Sequence, residues 1–229
     1  MNIAIILSGG VGSRMGSNVP KQYIEIDGRP IIRWCVDTFA RRDDISTVII
    51  GVADEWREYV GTHVADCGKQ VLFSPAGETR QYSIYNALKT AKDKGFADDD
   101  IVIIHDAARP LVSNKIIDEC INGIGEGFDG VLPALPVKDT IYLSDATNTI
   151  SQLLDRSMLR AGQAPESFRL GSYLALHNNM PREELLKING STELAFKAGQ
   201  RIKIVEGDEM NFKITTPDDL ERFKQIIAR

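Results

Sequence analysis

Residues 2–23, NIAIILSGGVGSRMGSNVPKQY, set the terms for the whole chain. The apolar run Ile3 to Leu7 has the length and composition of a buried strand. It breaks at once into Ser8-Gly9-Gly10-Val11-Gly12-Ser13-Arg14-Met15-Gly16, four glycines within eight positions. Glycine lacks a Cβ, so such a loop turns sharply and its backbone comes close to a ligand. Bare backbone N–H groups near a helix start suit an anionic phosphate. Arg14 adds a fork of donors and Lys21 a compact ammonium, both suited to a triphosphate. A Walker loop is excluded, because Lys21 follows Pro20 and has no glycine directly before it. The dinucleotide fingerprint is excluded as well, because Met15 stands where its third glycine belongs. What is left is a phosphate cradle of another kind, or a plain strand-to-helix turn.

The sequence beyond this loop alternates apolar runs with helical patterns. Pro30 to Phe39 reads as a helix with proline in its first turn. Val48 to Val52 is a continuous run typical of a buried parallel strand. A helix is expected over Glu55 to Ala65, a strand over Val71 to Phe73, and a helix over Thr79 to Lys94. Ile101 to Ile104 is the most apolar strand. Ser113 caps a helix over Asn114 to Gly125, and Gly130 to Ala134 is a further strand. This rhythm predicts an α/β fold with a mostly parallel sheet. Later in the chain, helices are expected over Ser172 to His177 and Glu193 to Ala198, with a strand over Ile202 to Val205. Phe212 to Thr215 reads as extended, and Thr216-Pro217-Asp218-Asp219 opens a last helix with cap, proline and acidic first turn in place.

Composition narrows the classes of function. The 229 residues are 43% hydrophobic and 26% charged, with a net charge of −5. That balance offers no basic footprint for nucleic acid. No stretch approaches a membrane span. Cys35, Cys67 and Cys120 are widely spaced and odd in number, which fits reduced thiols in a cytoplasmic protein.

In sheets of this class, ligands lie beyond the carboxyl ends of the strands. Three polar clusters fall there: the glycine loop, Gly77-Glu78-Thr79-Arg80-Gln81, and His105-Asp106-Ala107-Ala108-Arg109-Pro110. Asp106 follows the four apolar residues Ile101–Ile104 and His105, so it stands at the mouth of the site. It is placed either to hold Mg²⁺, which takes one or two carboxylates and bridges phosphate oxygens, or to pair with Arg109. His105 reads as a structural residue. Between Pro136 and Leu154, two alternating runs flank a polar turn, which predicts an antiparallel hairpin. An apolar arm of this kind needs cover, and a second copy of the chain would supply it.

Together these motifs resemble the CTP-dependent cytidylyltransferases that act on small polyol phosphates, whose members use 2-C-methyl-D-erythritol 4-phosphate or ribitol 5-phosphate. The carriers are the glycine loop with Pro20-Lys21-Gln22-Tyr23, Arg80-Gln81-Tyr82-Ser83, His105 to Pro110, Pro136-Val137-Lys138-Asp139-Thr140, Asp155-Arg156 and Lys213-Ile214-Thr215-Thr216-Pro217. The resemblance implies one Rossmann-like nucleotidyltransferase domain over residues 1–229, with a twisted sheet, helices on both faces, and a dimerisation arm at about 136–156. It implies that Arg14, Lys21 and Lys213 are catalytic cations. Ser8, Gly9, Gly10, Gly12, Gly77, Arg80, Ser83, Asp106 and Ala107 would bind CTP, and Asp106 would also hold Mg²⁺. Arg109, Thr140 and Arg156 would bind the polyol phosphate, the last two from the arm of the neighbouring subunit of a homodimer. Methylerythritol 4-phosphate is the acceptor by family name; ribitol 5-phosphate or another polyol phosphate is the alternative, and a nucleotide-binding module without turnover a remote one. The chain departs from the methylerythritol pattern at two places. Gln163-Ala164-Pro165-Glu166 stands where Thr-Pro-Gln is usual, and Asn189-Gly190-Ser191-Thr192-Glu193 where a Thr-Asp-[Asp/Glu] motif is usual.

Overall fold

The computed structural model of the chain describes residues 1–10 and 19–228. Gly12 and Arg14 lie outside the described residues. The chain begins with β1 (Asn2–Leu7) and, after a 3-10 turn at Lys21–Tyr23, a small hairpin of β2 (Glu25–Ile26) and β3 (Arg29–Pro30). Asp27 and Gly28 both take positive φ in its two-residue turn, where an Asp-Gly pair costs least. There follow α1 (Ile31–Ala40), β4 (Ile45–Val52), α2 (Asp54–Val64), β5 (Gln70–Pro75), α3 (Arg80–Asp93), β6 (Ile101–Asp106), α4 (Asn114–Gly125) and β7 (Gly130–Pro136). The second half holds β8 (Tyr142–Ser144), β9 (Ile150–Leu153), β10 (Arg160–Gly162), β11 (Glu166–Arg169), α5 (Leu170–Asn179), α6 (Arg182–Leu185), α7 (Ser191–Lys197), β12 (Ile202–Glu206) and α8 (Pro217–Ile227).

The main sheet runs β10-β7-β11-β6-β1-β4-β5, with β12 also paired to β7. β1 is parallel to β4 and β6, β4 to β5, and β7 to β12. The apolar strands alternate their burden between two faces. Ala4, Ile6, Val48, Ile50 and Ile103 turn to α1 and α2, while Ile3, Ile5, Ile49, Val102 and Ile104 turn to α3 and α5. Both faces are covered, so the stretches Ile3–Leu7, Val48–Val52 and Ile101–Ile104 show no polar alternation. Cys35 and Cys120 are buried free thiols in α1 and α4; burial pushes both up to about 12, so they pack as small apolar groups.

Most expected elements lie where the pattern predicts, and the differences have local causes. Pro30 closes β3 and caps α1 instead of entering its first turn. The arm's first run shrinks to Tyr142–Ser144, because Pro136 ends β7. β11 is a strand that apolar pattern alone does not reveal. It is antiparallel to β6 and β7, and its Glu166 and Ser167 are buried beside Phe168. Buried polar residues there erase the apolar run by which its neighbours are recognised.

Candidate active site

The carboxyl ends of β1, β4 and β6 meet in register, with Leu7 opposite Gly51 and Asp106. Ser8 continues from β1 but turns inward. Its backbone N–H and its hydroxyl both donate to Gly51 O, at 2.8 and 2.9 Å. Ser8 is 2% exposed, and its hydroxyl is committed to Gly51 O. The turn after Pro20 braces the loop from behind. Gln22 Nε2 donates to Ser8 O at 2.5 Å and to Gly10 O at 2.8 Å, and Tyr23 Oη donates to Ser8 O at 2.9 Å. Lys21 opens this bracing turn.

A second wall comes from the end of β5. A Cβ on Gly9 would meet Ala76 Cβ at 2.6 Å, and one on Gly77 would meet Tyr82 Cβ at 2.4 Å. Ser83 Oγ accepts from Gly77 N at 2.9 Å and donates to Thr79 O at 3.1 Å. Thr79 caps α3 by accepting from Tyr82 N at 3.2 Å. Gly9, Gly77 and Ser83 are thus neighbours, although the sequence separates them into two motifs.

Asp106 is the electrostatic centre. It ends β6, is 9% exposed, and its following residue is tied down by Ala107 N donating to Leu7 O at 3.0 Å. Its Oδ1 accepts from Arg80 Nε at 3.0 Å, and its Oδ2 from Lys213 Nζ at 2.9 Å, with Arg109 Nε 3.7 Å away. Burial opposes this charge, but Arg80, then Lys213 and Arg109, outweigh it and hold the carboxyl well below the usual range. The pairing with Arg109 exists, as one of three. Lys213 arrives from far downstream because Ile214 N donates to Ala108 O at 2.9 Å, which pins the extended segment onto the end of β6. Arg109 donates to Asn211 O at 2.6 Å, a further tie to the same segment.

His105 is fully buried, and Nε2 lies 2.9 Å from Arg109 O, where it donates. Burial lowers it to about 4, so it is neutral at ordinary pH and stands as a structural residue. Thr140 and Arg156 are exposed on the arm, where Arg156 donates to Lys138 O at 2.6 Å. Within one chain the structure does not bring them to Asp106 through any of the carboxylate's hydrogen bonds described above.

Four contributors escape a reading from sequence. Gln22 and Tyr23 belong to a recognised motif, yet their bracing role depends on a turn that folds back on β1. Glu166 and Ser191 lie in the two departing stretches, and both contact Arg80, at 3.3 and 2.5 Å. Among the described residues, no cluster of three or more His, Cys, Asp or Glu side chains could hold a metal by itself. Asp106 with phosphate oxygens from a nucleotide still matches the habit of Mg²⁺, which needs one or two carboxylates and keeps substrate oxygens as its other ligands.

Comparison with known proteins agrees with this geometry. The chain is 33% identical over 229 residues to a ribitol-5-phosphate cytidylyltransferase of Streptococcus agalactiae serotype Ia, covering 99% of this chain and 95% of that protein. It is 36% identical over 228 residues to a 2-C-methyl-D-erythritol 4-phosphate cytidylyltransferase of Rubrobacter xylanophilus, covering 99% and 94%. The crystal structure of the Francisella tularensis 2-C-methyl-D-erythritol 4-phosphate cytidylyltransferase superposes with a TM-score of 0.82 at 26% identity, covering 98% of each chain. The model of the family IspD, 2-C-methyl-D-erythritol 4-phosphate cytidylyltransferase, matches residues 2–229. A single site built from the ends of β1, β5 and β6 and closed by Lys213, on a fold matched from end to end, places this chain in the IspD cytidylyltransferase family.

Proposed function

We propose that this enzyme transfers CMP from CTP to a small polyol phosphate, releasing pyrophosphate. The observation that carries the reading is the Asp106 cluster, three cations around one carboxylate at the strand ends beside the glycine loop. An acceptor phosphate oxygen attacks the α-phosphorus of CTP, a new P–O bond forms, and the bond to pyrophosphate breaks. The attacking phosphate is already anionic, so no general base is needed, which agrees with a buried, neutral His105. The remaining requirements are alignment and compensation of growing negative charge.

Arg14, Lys21 and Lys213 supply that compensation in this reading. Backbone from Ser8, Gly9, Gly10 and Gly12 wraps the triphosphate, while Gly77, Arg80, Ser83 and Ala107 receive the nucleoside. Mg²⁺ held by Asp106 would neutralise phosphate charge. Arg109, Thr140 and Arg156 hold the acceptor phosphate, the last two from a second copy. The arm supports such an exchange. β8 and β9 form a separate two-stranded sheet on which Tyr142, Leu143, Ile150 and Leu153 are 46–63% exposed. A two-stranded hairpin with apolar side chains in water is marginal unless covered. Cytoplasmic residence fits the free cysteines, and among the described residues no helix is long and apolar enough to cross a membrane.

Methylerythritol 4-phosphate is the acceptor that the family description favours. Ribitol 5-phosphate is the second reading, favoured by relatives named for it and by Ala164, which brings no hydroxyl to its position. Pyrophosphate release with CTP and Mg²⁺ against methylerythritol, ribitol, glycerol and sugar phosphates decides between them. Release with one of the first two is expected, and none with any of these acceptors refutes the proposal. Sedimentation tests the arm, and a fully active monomer is the refuting result.

A further inference from the structure

Arg80 opens α3, and each nitrogen of its guanidinium has a different partner. Nε donates to Asp106 Oδ1 at 3.0 Å, one terminal nitrogen to Ser191 Oγ at 2.5 Å, and the other to Glu166 Oε2 at 3.3 Å. Glu166 is 5% exposed. Its second oxygen accepts from the Thr192 backbone N–H at 3.2 Å and from the Thr192 hydroxyl at 3.3 Å. One buried carboxylate therefore joins the start of α3, strand β11 and the start of α7. The two stretches in which this chain departs from the family pattern, 163–166 and 189–193, prove to be bonded to each other and to the same arginine.

The charges explain why a carboxylate stands there. Arg80, Arg109 and Lys213 crowd Asp106, and Glu166 is the second anion of the group, leaving one positive charge in excess. Among the described residues, the side-chain hydrogen bonds of Glu166 run to Arg80 and Thr192. It therefore reaches the reacting end of the site through Arg80. Without the charge on Glu166, Asp106 would be the one carboxylate left to Arg80 among the described residues, and Arg80 would compete there with Lys213. Bidentate and multi-point guanidinium contacts fix a plane as well as a charge.

We propose that Glu166 is a positioning residue that braces Arg80 against Ser191 and Thr192, setting the pose in which Arg80 meets the nucleotide and leaving Asp106 Oδ2 to Lys213. The kinetic part of its test rests on the cytidylyl-transfer reading; the stability part does not. The four proteins to compare are the full chain, Glu166→Gln, Arg80→Lys and the double variant. Glu166→Gln keeps the shape and removes the charge. It should raise the KM for CTP about tenfold with kcat within about twofold, the mark of a contact made equally in ground and transition states. In the Arg80→Lys background the same substitution should add less than about twofold, because coupled neighbours fail to add. Thr192→Val, which removes one donor to Glu166, should reproduce about a threefold part of the rise, and it serves if Glu166→Gln fails to fold. Additive losses overturn the proposal. So does a loss that persists in Arg80→Lys and follows only one acceptor, which would put Glu166 on the acceptor itself. Thermal unfolding of the same proteins without substrates reads the Glu166–Arg80 coupling directly. Coupling without any pyrophosphate release would defeat the functional reading and leave the brace standing. Turnover without coupling in either readout would do the reverse.

Discussion

Removing Lys213 separates catalytic charge from structural charge, because the structure gives the lysine a replaceable partner. Lys213 Nζ lies 2.9 Å from Asp106 Oδ2, and its side chain is 36% exposed. Asp106 keeps Arg80 at 3.0 Å and Arg109 at 3.7 Å when the lysine is gone, so no buried charge is stranded. The stability loss in Lys213→Ala should then be that of a partly screened pair, about 1 kcal/mol or less. For a chain of this size, that is a shift of roughly 2–4 °C in melting temperature at most. The kinetic loss should be far larger. One preorganised cation withdrawn from a developing phosphate charge costs about 3–4 kcal/mol, on the order of 10²–10³ in kcat. The assay is pyrophosphate release from CTP with the preferred acceptor, alongside a melting curve of the same preparation. Lys213→Arg should recover part of the rate, since charge returns without the ammonium's geometry. If Lys213→Ala turned over within tenfold of the parent chain while folding normally, Lys213 would not be a transition-state cation. If instead it melted many degrees lower, the account of Asp106 as a carboxylate with cations to spare would be wrong.

Three further outcomes follow from the geometry. Gly77→Ala should cost about 1–3 kcal/mol of stability and weaken CTP binding, because its Cβ would meet Tyr82 Cβ at 2.4 Å and Ser83 N at 2.7 Å, which are not flexible side-chain ends; an unchanged melting temperature and unchanged CTP titration would refute this. Gln22→Leu takes the Gln22 donor from Gly10 O and leaves Ser8 O to Tyr23 Oη, so stability should fall by about 1–3 kcal/mol and the KM for CTP should rise, and denaturant unfolding with CTP titration checks both. His105 and His177 are both lowered to about 4, each chiefly by burial, so below pH 6.5 the unfolded chain binds protons that the folded chain refuses. Stability should therefore fall as pH drops from 6.5 towards 4, by roughly 3 kcal/mol for each histidine at the acid end. Asp106 has the same sign but a lower window: its depressed acid contributes stability that is fully present above about pH 4 and is lost only as pH falls further, so it does not drive this loss. Equal denaturant midpoints at pH 7 and pH 4.5 would contradict buried neutral histidines.

The sequence by itself determined the parts governed by local pattern. Continuous runs at Ile3–Leu7, Val48–Val52 and Ile101–Ile104 read as strands buried on both faces. The signals Thr79, Ser113 and Thr216-Pro217 start helices through hydrogen bonds within four residues, so α3, α4 and α8 begin where the pattern says. The site motifs were legible for the same reason, since strand ends in such a sheet converge whatever follows them. Tertiary structure alone decided what depends on separation. Lys213 reaches Asp106 across 107 positions because a backbone bond from Ile214 to Ala108 seats its segment. Glu166 reaches Arg80 across 86 positions from an antiparallel strand whose buried polar residues hide it from any hydrophobic period. A carboxylate's partner is chosen by which chain ends the sheet brings within about 3 Å, and no spacing in the sequence encodes that distance.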